Sequence, residues 1–192
     1  MGDPEVLQDD IVAKVLAIHE TLKNSDVPHA FGGAIALGFH GLARGTSDID
    51  LNLFIRPDER QRALDAFEQL FPIENRPDVE ARVSRDAQGV VRWGNTKIDI
   101  FFSSMEFHDS MLERAIQVEF YGSPIPVLSG EDLIVCKVAF DRAKDWLDIE
   151  NMCTVMGKRL NVKYLMHWID DFFPADDPRP LHLAEVMKNA RA

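Results

Sequence analysis

Two aspartates one residue apart, Asp48 and Asp50, close the stretch FGGAIALGFHGLARGTSDIDL at residues 31–51, and the glycine pair Gly32-Gly33 opens it. Asp48-Ile49-Asp50-Leu51-Asn52-Leu53 alternates polar and apolar, so it reads as a half-buried strand. Strand side chains alternate between faces, which puts both carboxylates on one side. Two such acids resist joint ionisation. A divalent cation removes the conflict, and Mg²⁺ prefers one or two carboxylates plus substrate phosphates. Gly32-Gly33 predicts a tight turn, since glycine takes positive φ without steric cost. The short apolar run Ala34–Leu42 reads as a helix whose first N–H groups would form an anion site. The following loop, Arg44-Gly45-Thr46-Ser47, adds one cation and two hydroxyls. The competing reading is a surface strand with its acids in water. Aspartate is depleted in strands, so two on one face after a glycine turn favour the metal and phosphate reading.

Two further positions join this set. Lys97-Ile98-Asp99-Ile100-Phe101-Phe102 reads as another strand, in which Asp99 is flanked by apolar residues. Lys137 is a single cation inside the apolar run Leu133–Phe140. Lys137, Asp141, Lys144, Asp145 and Asp148 follow spacings of three and four and are expected to share one helical face. His29, His108 and Asp109 read as packing or surface groups rather than ligands.

The pattern Gly-Gly, helix, Arg44-Gly45-Thr46-Ser47-Asp48-Ile49-Asp50-Leu51 resembles the nucleotidyltransferase superfamily, in the branch that holds AbiEii-type toxins and small antibiotic nucleotidyltransferases. Many members carry Gly-Ser where this chain has Gly32-Gly33. Ser129-Gly130-Glu131-Asp132-Leu133, Lys137 and Lys144-Asp145…Asp148 resemble a second family stretch. The resemblance covers roughly residues 28–150. It implies transfer of a nucleoside monophosphate from an NTP to an acceptor hydroxyl on an RNA end, a protein or a small molecule. It implies Mg²⁺ on Asp48, Asp50 and Asp99, with Asp99 as the third carboxylate. Gly32, Gly33, Arg44, Ser47 and Lys137 would contact phosphates, and the later aspartates would brace helices. An antitoxin-like protein partner is a further expectation. The alternative is a nucleotide-binding regulatory module without turnover.

The elements that must hold these residues can be read around them. Residues 5–23 predict an amphipathic helix starting at Asp3-Pro4, and 27–31 a strand. A helix starts at Arg56-Pro57-Asp58. Residues 72–78 read as a loop, 79–84 as a strand, and Asp86-Ala87-Gln88-Gly89 as a turn between strands. Residues 90–93 and 97–102 follow as strands, 105–116 as a helix, and 118–121 with 125–128 as a hairpin. Ser129 caps a helix, and residues 161–173 and 180–190 give two more. The sum is an α/β (α+β) fold: a mixed sheet flanked by helices over residues 1–128, then a small helical bundle over 129–192.

The formal net charge of −11 disfavours a broad nucleic-acid surface and suits a cationic small acceptor such as an aminoglycoside. No apolar run reaches the roughly 18 residues of a membrane span. The acidic start MGDPEVLQDD lacks the basic region of a signal peptide, and Cys136 and Cys153 sit in apolar patterns as core thiols. These features predict a cytoplasmic protein.

Overall fold

The computed structural model describes residues 10–190. Helix α1 (Ile11–Asn24) begins where Asp10 Oδ1 accepts from the N–H groups of Val12 and Ala13 at 2.9 and 3.2 Å. The start expected at Asp3-Pro4 lies outside the described residues. Strand β1 (His29–Phe31), helix α2 (Gly33–His40) and strand β2 (Asp48–Leu53) form the strand-helix-strand unit read from the sequence. Helices α3 (Arg60–Glu68) and α4 (Arg76–Asp86) precede strands β3 (Gln88–Trp93) and β4 (Thr96–Phe102). Helix α5 (Glu106–Arg114) leads to the hairpin β5 (Ile116–Phe120) and β6 (Ser123–Val127). Helices α6 (Gly130–Phe140), α7 (Ala143–Met156), α8 (Val162–Phe172) and α9 (Pro178–Asn189) follow.

The sheet has six strands in the order β3-β4-β2-β1-β6-β5. It is mixed, as expected: β2 runs parallel to β4 and β1 parallel to β6, and the other neighbours are antiparallel. Ile49, Leu51 and Leu53 of β2 and Ile98, Ile100 and Phe102 of β4 enter one apolar cluster that also takes Ile18, Leu22, Leu64 and Phe67. Their neighbours at the alternate positions are thereby turned to the other face.

Two readings need correction. Residues 79–84 are not a strand but part of α4. Val79 and Val83 are both buried and stand four apart, so they line one helical face; over so short a run, that pattern also matches strand alternation. Pro77 lies in the first helical turn, where its missing N–H costs nothing, so the expected loop ends earlier. Asp86–Gly89 therefore joins a helix to β3, with Ala87 at φ 54°. The second correction concerns the ladder from Lys137 to Asp148. The chain turns at Asp141, φ 54°, so Lys137 lies on α6 and Asp145 and Asp148 on α7. These residues meet across two helices, not along one.

The helical layer is fastened by polar groups under α6. Ser129 Oγ caps the helix through Asp132 N–H and donates to Asp132 Oδ2 at 2.6 Å. Tyr164 of α8 donates to Asp132 Oδ1 at 2.5 Å, and Arg114 of α5 donates to Glu131 at 2.6 Å with its guanidinium over the Tyr164 ring. Burial raises the Asp132 carboxyl, and the Ser129 and Tyr164 hydrogen bonds work against that rise. Cys136 and Cys153 are not disulfide-bonded.

His29 proves to be a packing group, with His19 as its partner. His29 Nδ1–H donates to the Val27 carbonyl at 2.8 Å, which leaves Nε2 to accept from His19 Nδ1 at 3.0 Å. Burial pushes His29 down to about 4, against the Val27 hydrogen bond and with help from His19. The folded state thus refuses a proton that the unfolded chain takes below about pH 6.5. Stability from this group is complete above pH 6.5 and is lost as pH falls towards 4. The loss amounts to at most about 3 kcal/mol. Urea titrations between pH 7 and 4 should show wild type losing stability over this window and His29→Leu losing less. Parallel curves would remove His29 as the cause.

Candidate active site

The sheet face away from Ile49, Leu51, Ile98 and Ile100 forms the floor of a cleft of about 600 Å³. The parallel register of β2 and β4 builds that floor in rows. Asp48 pairs with Lys97, Asp50 with Asp99, and Asn52 with Phe101, and all six residues line the cleft. The three carboxylates expected from the sequence are thus brought to adjacent rows of two neighbouring strands.

Gly32 and Gly33 adjoin this floor. Gly32 N–H donates to the Asp50 carbonyl at 2.8 Å, which ties the turn to the strand. Gly33 has φ +49°, and a β-carbon there would stand 1.8 Å from Asp50 Oδ2. Glycine is needed twice, for the backbone conformation and for the approach of the carboxylate. The N-terminal turn of α2 starts at this point, beside Asp50.

Charge in the cleft is balanced locally. Burial and then the neighbouring Asp99 raise the Asp50 carboxyl, while Lys137, Arg142 and Lys97 pull it down. Lys97 Nζ donates to Asp99 Oδ2 at 2.7 Å. The charges of Asp50 and Asp99 also help to hold Arg142 protonated, after its main partner Asp145. Lys137 lines the cleft, with its ammonium 2.7 Å from Asp148 Oδ2 and 3.5 Å from Asp145 Oδ1. Arg44 lines the cleft and reaches Asp148 at 3.5 Å. Ser47 is not on the wall; its hydroxyl donates to Asp48 Oδ1 at 3.2 Å. Thr46 lines the cleft instead; its hydroxyl donates to the Asp48 carbonyl at 2.9 Å and accepts from the Asp48 N–H at 3.1 Å.

Sequence reasoning missed Lys97, Asn52, Arg142 and Lys144 as cleft residues, and placed His108 at the surface whereas it forms part of the wall. The period of two on either side of Asp50 and Asp99 carried the signal for Lys97 and Asn52. Arg142 gave none, because the turn at Asp141 that brings it in is a tertiary feature.

The donor set fits a hard cation. Asp48, Asp50 and Asp99 offer only oxygen, and the raised Asp50 carboxyl is one that a cation would restore to its charged form. Among the described residues no group of three or more His, Cys, Asp or Glu side chains is arranged so that it could hold a metal ion. Mg²⁺ commonly takes one or two carboxylates, with water and substrate phosphates for the rest.

Residues 20–186 match the model of the family described as nucleotidyl transferase AbiEii toxin, Type IV TA system. The chain belongs to this family. No curated protein sequence matches it. Among solved structures, ANT(2'')-Ia in complex with adenylyl-2''-tobramycin is 17% identical with TM-score 0.59, over 84% of this chain and 98% of that one. JHP933 from Helicobacter pylori is 18% identical with TM-score 0.50, over 100% of this chain and 94% of its own. At such identities these likenesses speak for the shared fold alone. Family membership places the AbiEii-type chain among nucleotidyltransferases, and the mixed sheet with its flanking helices is the fold expected. No helix among the described residues is long and apolar enough to cross a membrane.

Proposed function

We propose that this chain transfers a nucleoside monophosphate from an NTP to a hydroxyl on an RNA end, a protein or a small molecule. The observation that carries the reading is the direct pairing of Asp50 with Asp99, next to the row of Asp48 and under the Gly33 turn. The acceptor oxygen attacks the α-phosphorus, the bond from that phosphorus to the β-phosphate bridging oxygen breaks, and pyrophosphate leaves. Asp99 accepts the hydroxyl proton. Asp48 and Asp50, with Asp99, would hold Mg²⁺. When bound, Mg²⁺ supplies positive charge to the triphosphate and to the developing leaving group.

The chain's own residues do the positioning. The Gly32-Gly33 turn and Arg44 seat phosphates, with Thr46 and Ser47 fixing Asp48. Lys137 and Arg142 place positive charge where pyrophosphate departs. The sheet unit, residues 1–128, carries the carboxylates, and residues 129–192 supply the covering cations. Arg44, Lys97, Lys137, Arg142 and Lys144 line the cleft together with Asp48, Asp50, Asp99 and Asp145, so its charge is nearly balanced and selects neither a cationic nor an anionic acceptor. In keeping with the toxin family, we also propose a protein antitoxin as partner and the cytoplasm as the place of action.

Incubation of pure protein with each α-labelled NTP, Mg²⁺, total RNA and a panel of small hydroxyl compounds tests the reading. Label should move to one class of acceptor, and EDTA should abolish the movement. Tight NTP binding without transfer to any acceptor would instead support a regulatory module.

A further inference from the structure

The cleft changes character along its floor. The rows Asp48–Lys97 and Asp50–Asp99 are charged, whereas the next row, Asn52–Phe101, is neutral. Rows two residues apart are about 7 Å apart along a strand. Helix α5 starts four residues after β4 ends, so its first turn lies at the Phe101 end of the floor, and Phe107 and Met111 of α5 line the cleft together with Phe172 of α8 and the adjoining Phe173. These helices contribute no charged side chain to the lining. Their one polar group there is His108.

His108 is held in one tautomer. Ser104 N–H donates to His108 Nδ1 at 3.0 Å, so in the neutral ring the proton sits on Nε2. Burial lowers the pKa of the ring, against the opposing pull of Asp109. A wall of aromatic and thioether groups with one imidazole excludes an ion, which would lose its hydration without gaining a counter-charge. It accepts a flat, uncharged ring that presents a hydrogen-bond acceptor.

We propose that the apolar end of the cleft seats the nucleobase of the NTP, with His108 Nε2–H as the donor that reads an acceptor atom on the ring. This rests on the nucleotidyl-transfer reading of the charged rows. A nucleotide is one molecule with anionic and flat neutral ends, and the floor offers charged and neutral rows in that order. The cleft volume of about 600 Å³ is of the size that encloses such a ligand. Stacking on aromatic side chains holds any base, and the His108 donor discriminates among them.

Calorimetry with Mg²⁺ separates the two ends, using the four NTPs and inorganic tripolyphosphate. Wild type should bind its preferred NTP at least tenfold more tightly than tripolyphosphate. His108→Phe keeps a ring and removes the donor. It should weaken that NTP roughly five- to tenfold, the worth of one hydrogen bond, flatten the preference among bases, and leave tripolyphosphate unchanged. His108→Gln, with an oxygen for Ser104 N–H and an amide donor for the base, should restore much of the preference. Unchanged tripolyphosphate binding also reports that the variants fold. The proposal is overturned if wild type binds NTP no better than tripolyphosphate, if His108→Phe leaves NTP affinity intact, or if both ligands weaken together. If wild type binds neither ligand with Mg²⁺, the nucleotidyl-transfer reading itself fails and takes the base seat with it.

Discussion

Asp99→Asn should lower transfer by about 10³-fold while changing NTP affinity by less than about tenfold, the pattern of a lost proton acceptor. The amide has the shape of the carboxylate but cannot take a proton from the acceptor hydroxyl. Its stability cost is small. Lys97, the partner of Asp99, keeps 37% of its side chain in solvent, so its ammonium is rehydrated once the ion pair goes, at under about 1 kcal/mol. The variant also removes a negative charge that raises the Asp50 carboxyl, which relieves the apo protein. Single-turnover rates and equilibrium NTP titrations, measured side by side, give the split. Turnover at the wild-type rate would put the proton acceptor elsewhere. Equal losses in rate and in affinity would make Asp99 a ligand-binding group before anything else.

How far the site could be read in advance depended on whether one strand or several elements hold each group. Asp48, Asp50 and Asp99 were legible because a strand's period of two is local and acids are out of place there. Their adjacency was not, since it rests on the parallel register of β2 with β4, set by Ile49, Leu51, Ile98 and Ile100 packing together. The glycine turn was legible as a turn. That Gly33 must also lack a β-carbon because Asp50 fills the space is visible only in three dimensions. The segment from Val79 to Val83 failed for the opposite reason. Two valines four apart satisfy a helix, and the alanine between them completes a strand-like alternation, so the local pattern does not decide. One histidine on an amphipathic helix carries no period, so the sequence places His108 at the surface; its position in the cleft wall follows from α8 packing on α5 through Phe107, Trp168 and Phe172. The cation set around Asp145 was misread because continuous three- and four-residue spacing hides the left-handed turn at Asp141.

That turn governs what Lys137→Met should do: lower stability by roughly 3 kcal/mol, as removal of one partner from a buried ion pair does. Only 5% of the Lys137 side chain is exposed, between Asp145 at 1% and Asp148 at 10%. Arg142 holds Asp145 at 2.5 Å from the exposed side, and Arg44 reaches Asp148 only at 3.5 Å. Without the ammonium, Asp148 is a nearly buried charge with one distant partner. The expected melting point falls by about 6–12 °C for a chain of this size. The pH dependence has a sign. Burial pushes the Asp145 carboxyl up, yet the Arg142 hydrogen bond and the charges of Lys137 and Arg142 outweigh it and hold the group below its ordinary value. The stability from that pairing is present above the carboxylate's unfolded pKa and is lost as pH falls through the lower folded value. The gap between wild type and variant should therefore be full at pH 7 and narrow in acid. Adding Asp148→Asn to Lys137→Met removes the stranded charge and should return at least half of the lost stability, a coupling that a double-mutant cycle reads directly. A melt unchanged in Lys137→Met, together with a weakened Mg²⁺-NTP complex, would show that the ammonium is held for phosphate and not for the helices. A lowered melt with NTP affinity retained would assign it to bracing α6 against α7.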